Sequence, residues 1–337
     1  MKYRRLGNSG LSVSELALGT MIFGEQSDRG VAPAEAARII ACYLEAGGNH
    51  FDVADVYAAG EAEKIVGEST KSQRQGLVLT TKVRWPTAAG PNDVGLSRYH
   101  IRNSVEASLR RLQTDRIDVL YMHGWDAWSP LEESLRAFDD LVSAGKVLYV
   151  GVSNFKAWQV MKALGLSDRH GWARFVAAQY QYSLVVRDIE TEFLDICAAE
   201  GVGLVPWGPL GGGFLSGKYR ANERPSQASA GRLAQTPDEW EESWKRRATE
   251  QNWSILSTID EIRSGSPGLS AAQIAIAWLL ARPVVSSVIV GARTVEQLKQ
   301  NLAAASVRLS PEVLARLDTV SAVASSYPHR GVNTQAR

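Results

Sequence analysis

Four side chains that could take part in proton transfer stand where short apolar runs of the sequence end. They are Asp52 in the run at 49–53, Tyr57 five residues later, Lys82 at the end of the run at 77–82, and His123 directly after the run at 117–122. A charged side chain at the end of an apolar strand is costly to bury unless it is paired. We therefore expect Asp52 and Lys82 to lie on adjacent strands and to form an ion pair.

These residue types suit the reduction of a carbonyl group. A phenol has an ordinary pKa of about 10, which is too high for proton exchange near neutral pH. A neighbouring ammonium favours the phenolate, and lowering the pKa of Tyr57 to about 7 requires about 4 kcal/mol of differential interaction. Asp52 would hold Lys82 in place, and His123 would orient the carbonyl oxygen or relay its proton. Such a site gives the oxygen a proton as hydride reaches the carbon.

Each of these residues also has a purely structural interpretation. Asp52 and Lys82 can form an ion pair that only stabilises the fold. Tyr57 can be an ordinary loop aromatic, and His123 can be a hydrogen-bonded histidine at a strand end. All four stand at the same end of three consecutive apolar runs, however, and this common placement favours one shared site.

The apolar runs alternate with segments of helical periodicity along the whole chain. Eight runs are typical of strands: 15–19, 49–53, 77–82, 117–122, 147–152, 175–179, 203–206 and 286–290. They are apolar on both faces, as parallel strands covered by helices must be. The pattern predicts an α/β fold, a (β/α)8 TIM barrel with long βα loops over its C-terminal mouth. A doubly wound sheet is the alternative, but Leu18-Gly19-Thr20-Met21 follows the first run in place of a G-x-G-x-x-G loop.

The barrel is predicted to be a single domain over residues 1–337. Residues 84–97 and 218–240 exceed the length of an ordinary connection between strand and helix. The second of these segments is rich in Ser, Ala, Gln, Arg and Pro, and we predict that it is a mobile loop. Residues 321–337 are predicted to be a polar C-terminal tail that is either poorly ordered or placed over the barrel mouth.

Composition argues against several classes of protein. Lys and Arg total 37 and Asp and Glu total 36, so the net charge of +1 gives no reason to expect nucleic-acid binding. With 45% hydrophobic and 22% charged residues, the chain can bury a large core. Cys42 and Cys197 cannot form a disulfide framework and are expected to be inert thiols. No stretch is typical of a secretory signal or a membrane span, so we expect a cytoplasmic protein with no membrane partner.

Beyond these patterns, the chain resembles the aldo-keto reductases over essentially its whole length. The matching segments are Leu18–Met21, Asn49–Tyr57, Thr80–Lys82, Asp118–His123, Gly145–Val147, Gly151–Phe155, Pro206–Leu210, Gly217–Tyr219 and Gly291–Thr294. The sequence is most similar to a bacterial branch of that family, which includes aryl-alcohol dehydrogenase-like oxidoreductases and potassium-channel β subunits. The resemblance implies a catalytic tetrad of Asp52, Tyr57, Lys82 and His123. In this tetrad Tyr57 is the general acid in reduction and the general base in oxidation.

The resemblance also implies a nicotinamide dinucleotide at the barrel mouth. Ser153, Asn154 and Gln179 match residues that hold the carboxamide, and Trp207 matches the aromatic residue that stacks on the nicotinamide ring. The other implied cofactor contacts fall into three groups. Gly19, Thr20, Met21 and Asp52 lie on the ribose side of the nicotinamide. The contacts around the pyrophosphate are Gly208, Leu210, Gly212 and Lys218, and those at the adenosine end are Gly291, Arg293, Gln297 and Asn301.

Two of these contacts have local alternatives that need no ligand. Asn154 can N-cap a helix that begins near Phe155. Thr294 with Gln297 fits a capping box.

Arg293 decides the expected cofactor. It stands beside a helix N-terminus, which suits a 2′-phosphate and favours NADP over NAD. The chain departs from the family pattern nearby, with Gly208 where many relatives have Ser and Val290 where a proline is frequent. Both departures concern cofactor affinity rather than the tetrad.

Aromatic residues are predicted to line the substrate pocket. They are Phe23, Trp85, Trp125 and Trp128, with Tyr57 and His123 at the base of the pocket. Such walls favour aryl aldehydes, ketones or sugars. The alternative is that some of these rings pack between the barrel and its helices.

Three classes of function are compared. The first is an NADPH-dependent carbonyl reductase, equally able to act as an alcohol dehydrogenase, with a small-molecule carbonyl or alcohol as its substrate. The second is a nucleotide-binding, redox-sensing regulatory subunit similar to channel β subunits. The third, a metal-dependent hydrolase, is disfavoured because the histidines at 50, 100, 123, 170 and 329 are scattered and no His-x-His occurs. A homo-oligomer is compatible with the first two classes.

Overall fold

A cylinder of parallel strands forms the centre of the molecule. The structure, a computed structural model, describes residues 1–26, 30–221, 223–226, 231–324 and 327–332. Within these residues the strands are β1 Tyr3–Arg5, β2 Ser12–Ser14, β3 Leu16–Gly19, β4 His50–Asp52, β5 Val78–Val83, β6 Ile117–Met122, β7 Val147–Ser153, β8 Phe175–Gln181, β9 Gly203–Trp207 and β10 Val288–Val290. Strands β3 to β10 make one eight-stranded sheet, in which neighbours pair in parallel in the order β10-β3-β4-β5-β6-β7-β8-β9.

Helices cover the outer face of this sheet. In the described part of the chain they are α1 Pro33–Glu45, α2 Glu61–Thr70, α3 Arg98–Leu112, α4 Leu131–Ser143, α5 Ala157–His170, α6 Phe193–Glu200, α7 Arg232–Gln235, α8 Trp244–Arg247, α9 Glu250–Ser264, α10 Ala271–Leu280, α11 Val295–Leu302, α12 Pro311–Val320 and α13 His329–Val332. Pro33 and Pro311 begin their helices, at a position where the missing N–H has no intrahelical partner to lose. Of the helices described, none combines the length and the apolar character that crossing a bilayer requires.

The barrel closes where β9 meets the segment that leads into β10. Leu204 N donates to Val284 O at 2.9 Å, and Ser286 N donates to Leu204 O at 2.8 Å. With this seam the eight strands form a nearly complete cylinder. The predicted (β/α)8 TIM barrel is therefore confirmed, and the alternative of a doubly wound sheet, which has two open edges, is excluded.

A hairpin that the sequence patterns did not predict closes the end of the barrel opposite the mouth. β1 and β2 pair in antiparallel fashion. Leu6 and Val13, both completely buried, join the apolar cluster inside the barrel together with Val119, Tyr121 and Ala177. Strands of three residues are too short to show a period of two, so only the fold reveals them. A second, larger apolar cluster lies between the strands and the helices.

In the long loop after β9, the short helix α7 packs against the glycine-rich stretch that follows the strand. Leu233 on α7 is 1% exposed, and its side chain lies against Gly212. Residues 222 and 227–230 lie outside the described residues. The mobility of the loop at 218–240 stays a prediction.

The C-terminal segment is docked at the residue where the tail was predicted to begin. Ser321 is 2% exposed, and Arg187 Nη1 donates to its hydroxyl at 2.8 Å. This contact fixes the end of α12, and the polar tail over 321–337 stays a prediction. Residues 325–326 and 333–337 lie outside the described residues.

Gly7, in the turn of the hairpin, allows the hairpin to approach the barrel closely. Its φ is +57°, and a Cβ would lie 2.5 Å from Gly201 O and 2.7 Å from Gly203 N, both backbone atoms. We expect Gly7→Ala to lower the unfolding free energy by about 2–4 kcal/mol in a urea titration. Gly10→Ala is the control, because a Cβ at Gly10 would meet nothing within 4 Å. Equal losses in the two variants would contradict the assigned contact.

Candidate active site

The four residues predicted to form a catalytic tetrad meet at the C-terminal ends of β4, β5 and β6. Lys82 is completely buried, and its Nζ lies 2.8 Å from Asp52 Oδ1 and 3.0 Å from the Tyr57 hydroxyl. A third hydrogen bond from Nζ goes to Val53 O at 2.7 Å. The three ammonium protons therefore point at three fixed acceptors, and the ion pair expected between Asp52 and Lys82 is present.

Opposing effects set the ionisation of Tyr57. Burial is the largest effect and raises the pKa of the phenol, whereas Lys82 lowers it, and the net pKa lies above the ordinary value. The prediction that the pKa of Tyr57 falls toward 7 included only the effect of the ammonium and left out the larger effect of burial. Burial lowers the pKa of Lys82, but Asp52 and Tyr57 outweigh burial and the pKa is raised. At neutral pH the pair is thus a protonated phenol beside an ammonium, the form that can donate a proton.

His123 is a neutral imidazole beside Tyr57. The two rings meet edge to face with their centroids 6.1 Å apart. Burial, followed by the charges of Lys82 and Arg84, keeps the pKa of His123 well below its ordinary value. Among the described residues, none hydrogen-bonds to the buried Nδ1 of this ring. A neutral imidazole can orient an oxygen atom but carries no second proton at neutral pH.

The turn that follows Tyr57 is strained. Ala58 and Ala59 have φ angles of 46° and 50°, in the left-handed region, and Gly60 follows at 90°. Such strain costs about 1–3 kcal/mol per residue and persists only where the surroundings hold it. Gly24 supplies one of the confining contacts, because a Cβ there would lie 2.9 Å from Ala58 Cβ. The turn determines where the phenol stands, and no sequence pattern indicated it.

Polar residues at the ends of β7 and β8 connect directly to the tetrad. Ser153 Oγ donates to Gln179 O at 2.8 Å, and Asn154 Nδ2 donates to His123 O at 3.1 Å. Gln179 Nε2 donates to Asp52 Oδ1 at 2.7 Å. The carboxylate of Asp52 therefore receives hydrogen bonds from both an ammonium and an amide, which fixes its orientation.

The two capping alternatives have different outcomes. The alternative for Asn154 is wrong, because α5 begins only at Ala157. Thr294 does cap α11, since its Oγ1 accepts from Gln297 N at 3.2 Å. The capping box is only half formed, because the Gln297 side chain instead accepts from Arg293 N at 2.9 Å. This contact holds Arg293 at the N-terminal end of the helix.

A glycine-rich stretch borders the mouth after β9. Trp207, which is half-buried, ends the strand, and Gly208, Gly211, Gly212 and Gly213 all have positive φ angles. Residues without a Cβ allow these conformations and let a ligand approach the backbone. The stretch is therefore a suitable cradle for a large polar ligand.

Lys218 lies beside this stretch, and the charge of Arg293 on another loop acts on it. Burial, followed by the charge of Arg293, lowers the pKa of Lys218. Two positive charges in this region attract an anionic ligand. Asn301 Nδ2 donates to Gly291 O at 3.1 Å and so fixes the turn before Arg293. Leu210, in the loop after β9, is half-buried. The arrangement suits the phosphates of a dinucleotide.

The loop after β3 contributes less to the mouth than predicted. Gly19 ends the strand, Thr20 Oγ1 donates to Asp52 O at 2.9 Å, and the side chain of Met21 is partly exposed. Phe23 is completely buried in the cluster between strands and helices. Its predicted place in the substrate wall is therefore wrong. The composition of a short loop does not indicate which way an aromatic side chain points.

The three predicted tryptophans have different positions. Trp85 has one face covered by the guanidinium of Arg84, and its ring centroid lies 6.3 Å from that of His123. Trp125 is half-buried, and Arg84 Nε donates to its carbonyl at 3.3 Å, which joins the loops after β5 and β6. Trp128 is 94% exposed and projects into solvent. Trp85 therefore lies beside His123, and substrate contacts by Trp85, Trp125 and Trp128 stay predictions.

Sequence reasoning missed two residues near the mouth. Arg232 on α7 pairs with Glu242, and its charge adds a minor lowering effect to the pKa of Tyr57, which burial dominates. Trp158, at the start of α5, packs on Trp125 with ring centroids 5.8 Å apart. Arg232 lies in a segment whose composition indicated only a loop, and Trp158 in a helix without a polar motif. Neither position carried a local signal.

A further buried acidic side chain, that of Asp55, lies near the ion pair between Asp52 and Lys82. Asp55 is 3% exposed, and burial, followed by the neighbouring Glu63, raises its pKa to about 8 against the opposing charges of Arg111 and Lys82. Asp55 is thus protonated at neutral pH. Two buried or partly buried cations, Lys82 and Arg111, are then balanced by two carboxylates, Asp52 and Glu63.

Replacing Asp55 should change how stability depends on pH. Since the pKa of Asp55 rises from its ordinary 3.8 to about 8 on folding, the folded state binds the extra proton between these values. The unfolding free energy of the wild type therefore falls as pH rises through this window. Asp55→Asn, which is neutral throughout, should lack this fall and gain most relative stability above pH 8. Urea titrations at about pH 5 and about pH 9 check this; identical pH dependence in both proteins would contradict it.

Comparison with known proteins agrees with this geometry. The model of the Aldo/keto reductase family matches residues 15–322. The chain is 39% identical to a probable voltage-gated potassium channel subunit beta of Arabidopsis thaliana, over 98% of each chain. It is 38% identical to the uncharacterized oxidoreductase YrpG of Bacillus subtilis, over 95% of this chain and 96% of that protein. It is 34% identical to versiconal hemiacetal acetate reductase of Aspergillus parasiticus, over 94% and 96%.

The family match spans the barrel strands and every residue of the tetrad. Together with relatives named as oxidoreductases and reductases, it supports oxidoreductase chemistry. The protein belongs to the aldo/keto reductase family.

Proposed function

We propose that this protein is an NADP(H)-dependent oxidoreductase that moves hydride between nicotinamide and an aldehyde, ketone or sugar. Tyr57 is the general acid in reduction and the general base when an alcohol is oxidised. The observation that carries the proposal is the buried Nζ of Lys82, 2.8 Å from Asp52 Oδ1 and 3.0 Å from the Tyr57 hydroxyl. The protonated phenol thus lies at the C-terminal end of the barrel, where polar groups line the mouth.

The residues divide the work between proton transfer and orientation. Tyr57 OH gives its proton to the oxygen of the carbonyl, and Lys82 stabilises the phenolate that remains. Asp52 keeps Lys82 charged and in place. Without Asp52, the ammonium would be a buried charge with no opposite charge beside it. His123, neutral and edge to face with the phenol, orients the carbonyl oxygen. When bound, the nicotinamide supplies or accepts the hydride.

Cofactor binding is assigned to the mouth around Ser153, Gln179 and Trp207 and to the cations beyond them. Lys218 and Arg293, whose charges act on one another from two loops, would hold the phosphates, and Arg293 would select the 2′-phosphate of NADP. The substrate would enter beside Trp85, whose partly exposed ring stands next to His123. A flat substrate with an aryl group fits such a wall.

The similarity to plant channel β subunits favours one alternative, a nucleotide-binding, redox-sensing regulatory subunit. Both functions require the nucleotide, so binding does not separate them. A panel of aldehydes, ketones and sugars, followed at the nicotinamide absorbance band, does: steady turnover supports the reductase. Cofactor binding without turnover of any member would favour the regulatory subunit.

Removing the phenolic hydroxyl should separate chemistry from binding. We expect Tyr57→Phe to lower kcat by about 10²–10⁴-fold, because the carbonyl oxygen loses its proton donor. NADPH should still quench tryptophan fluorescence with unchanged affinity. Tyr43→Phe is the matched control, since Tyr43 is a completely buried phenol outside the mouth. Wild-type kcat in Tyr57→Phe would contradict the assigned role.

The preference between cofactors should depend on Arg293. Because a hydrogen bond to a charged group is worth about 1.5–3 kcal/mol, Arg293→Ala should weaken NADPH binding by about 10- to 100-fold. NADH binding should change little, since NADH has no 2′-phosphate. Lys299→Ala is the control, because it removes an exposed cation from α11, the helix that follows Arg293. Equal losses for both cofactors in fluorescence titrations would remove Arg293 from this role.

A further inference from the structure

A completely buried carboxylate lies between the elements that carry Tyr57 and Lys82 but belongs to neither. Glu63 is on α2, is 0% exposed and contacts both β5 and α3. It stands in the layer between the barrel and the helices, outside the mouth where substrate and cofactor would bind. A buried carboxylate is costly unless its partners are fixed, and each of its two oxygens has one such partner.

One oxygen of Glu63 is bonded to the strand that carries Lys82. Thr81 Oγ1 donates to Glu63 Oε1 at 2.6 Å. Since successive side chains of a strand point to opposite faces, Thr81 points out of the barrel while Lys82 points into it. The hydrogen bond therefore fixes the outer face of β5 at the residue next to the ammonium.

The other oxygen is bonded to a side chain that confines the turn after Tyr57. Arg111 Nε donates to Glu63 Oε2 at 2.6 Å. A Cβ on Gly60 would lie 2.8 Å from both Cδ and Nε of Arg111, so the arginine lies directly against the turn. Gly60 ends the strained turn that begins at Tyr57. Without such confinement, left-handed alanines would relax toward ordinary φ values and move the phenol.

We propose that Glu63 is a positioning residue for the reaction, holding Tyr57 against Lys82 through Arg111 on one side and Thr81 on the other. It touches neither substrate nor cofactor. Its two hydrogen bonds join the turn of the phenol to the strand of the ammonium, and the 3.0 Å contact between Tyr57 OH and Lys82 Nζ depends on both. This inference rests on the proposed function.

The test compares kcat per cofactor-binding site, which corrects for any unfolded fraction. Glu63→Gln keeps the shape of the side chain but removes its negative charge, so the ion pair that anchors Arg111 is lost whichever way the amide is turned. Because a misplacement of about 1 Å can cost on the order of 10²-fold in rate, we expect kcat to fall by about 10- to 100-fold. The KM for the carbonyl substrate and the Kd of NADPH should stay at wild-type values, since the mouth is intact.

Thr81→Val and Asp118→Asn keep the test decisive. Thr81→Val removes one hydroxyl, leaves the Glu63–Arg111 pair intact and should lower kcat in the same direction by a smaller factor, even if Glu63→Gln fails to fold. Asp118 is a comparably buried carboxylate, paired with Arg74 at 2.9 Å, at the other end of β6 from His123. Its replacement should lower the thermal midpoint but not kcat per site.

Two results would overturn the inference: wild-type kcat per site in both Thr81→Val and any folded Glu63→Gln, or an equal loss in Asp118→Asn. Failure of the proposed function gives a different result, because the wild type itself would then bind NADPH and turn over no carbonyl compound.

Discussion

The buried ammonium of Lys82 is the charge around which the rest of the structure is organised. An unpaired ammonium in this position would be expelled or neutralised, because transfer of a charge from water to the protein interior costs several kcal/mol. Asp52, the hydroxyl of Tyr57 and the carbonyl of Val53 take its three hydrogen bonds, so its direction is fixed as well as its charge. Burial lowers the pKa of His123, and the same charge lowers it further. One buried cation thus acts on every other member of the tetrad.

The barrel supplies the geometry that this charge requires. In a parallel sheet the ends of β4, β5 and β6 lie side by side, so residues separated by about thirty to forty positions in the chain become neighbours at the mouth. Burial at this position has two effects of opposite sign on Tyr57: it brings the phenol to the ammonium, which lowers its pKa, and it removes solvent, which raises the pKa more. The free protein therefore holds the phenol in its protonated form.

The support of the phenol comes from outside the barrel. A strained turn of two left-handed alanines places Tyr57, and α3 presses Arg111 against the end of that turn. Glu63 connects this arginine to β5, while protonated Asp55 beside it avoids a third negative charge. The helices of this fold are more than a cover for the sheet, because their buried polar side chains reach the residues that flank the site.

The chain by itself determined the architecture and indicated the four polar residues that meet at the mouth. Apolar runs with helical segments between them predict an eight-stranded parallel barrel, and charged residues at the ends of such runs are conspicuous, because a buried charge needs a partner. Tertiary structure alone decided features that depend on contacts between distant segments. The strands of the hairpin β1–β2 are too short to show a sequence pattern. The side chain of Phe23 lies in the core rather than at the mouth. Glu63 is an acidic residue on a helix whose sequence does not indicate that this position is buried. Local sequence determines which conformations are available, whereas long-range packing determines which side of an element is buried and which polar group meets another.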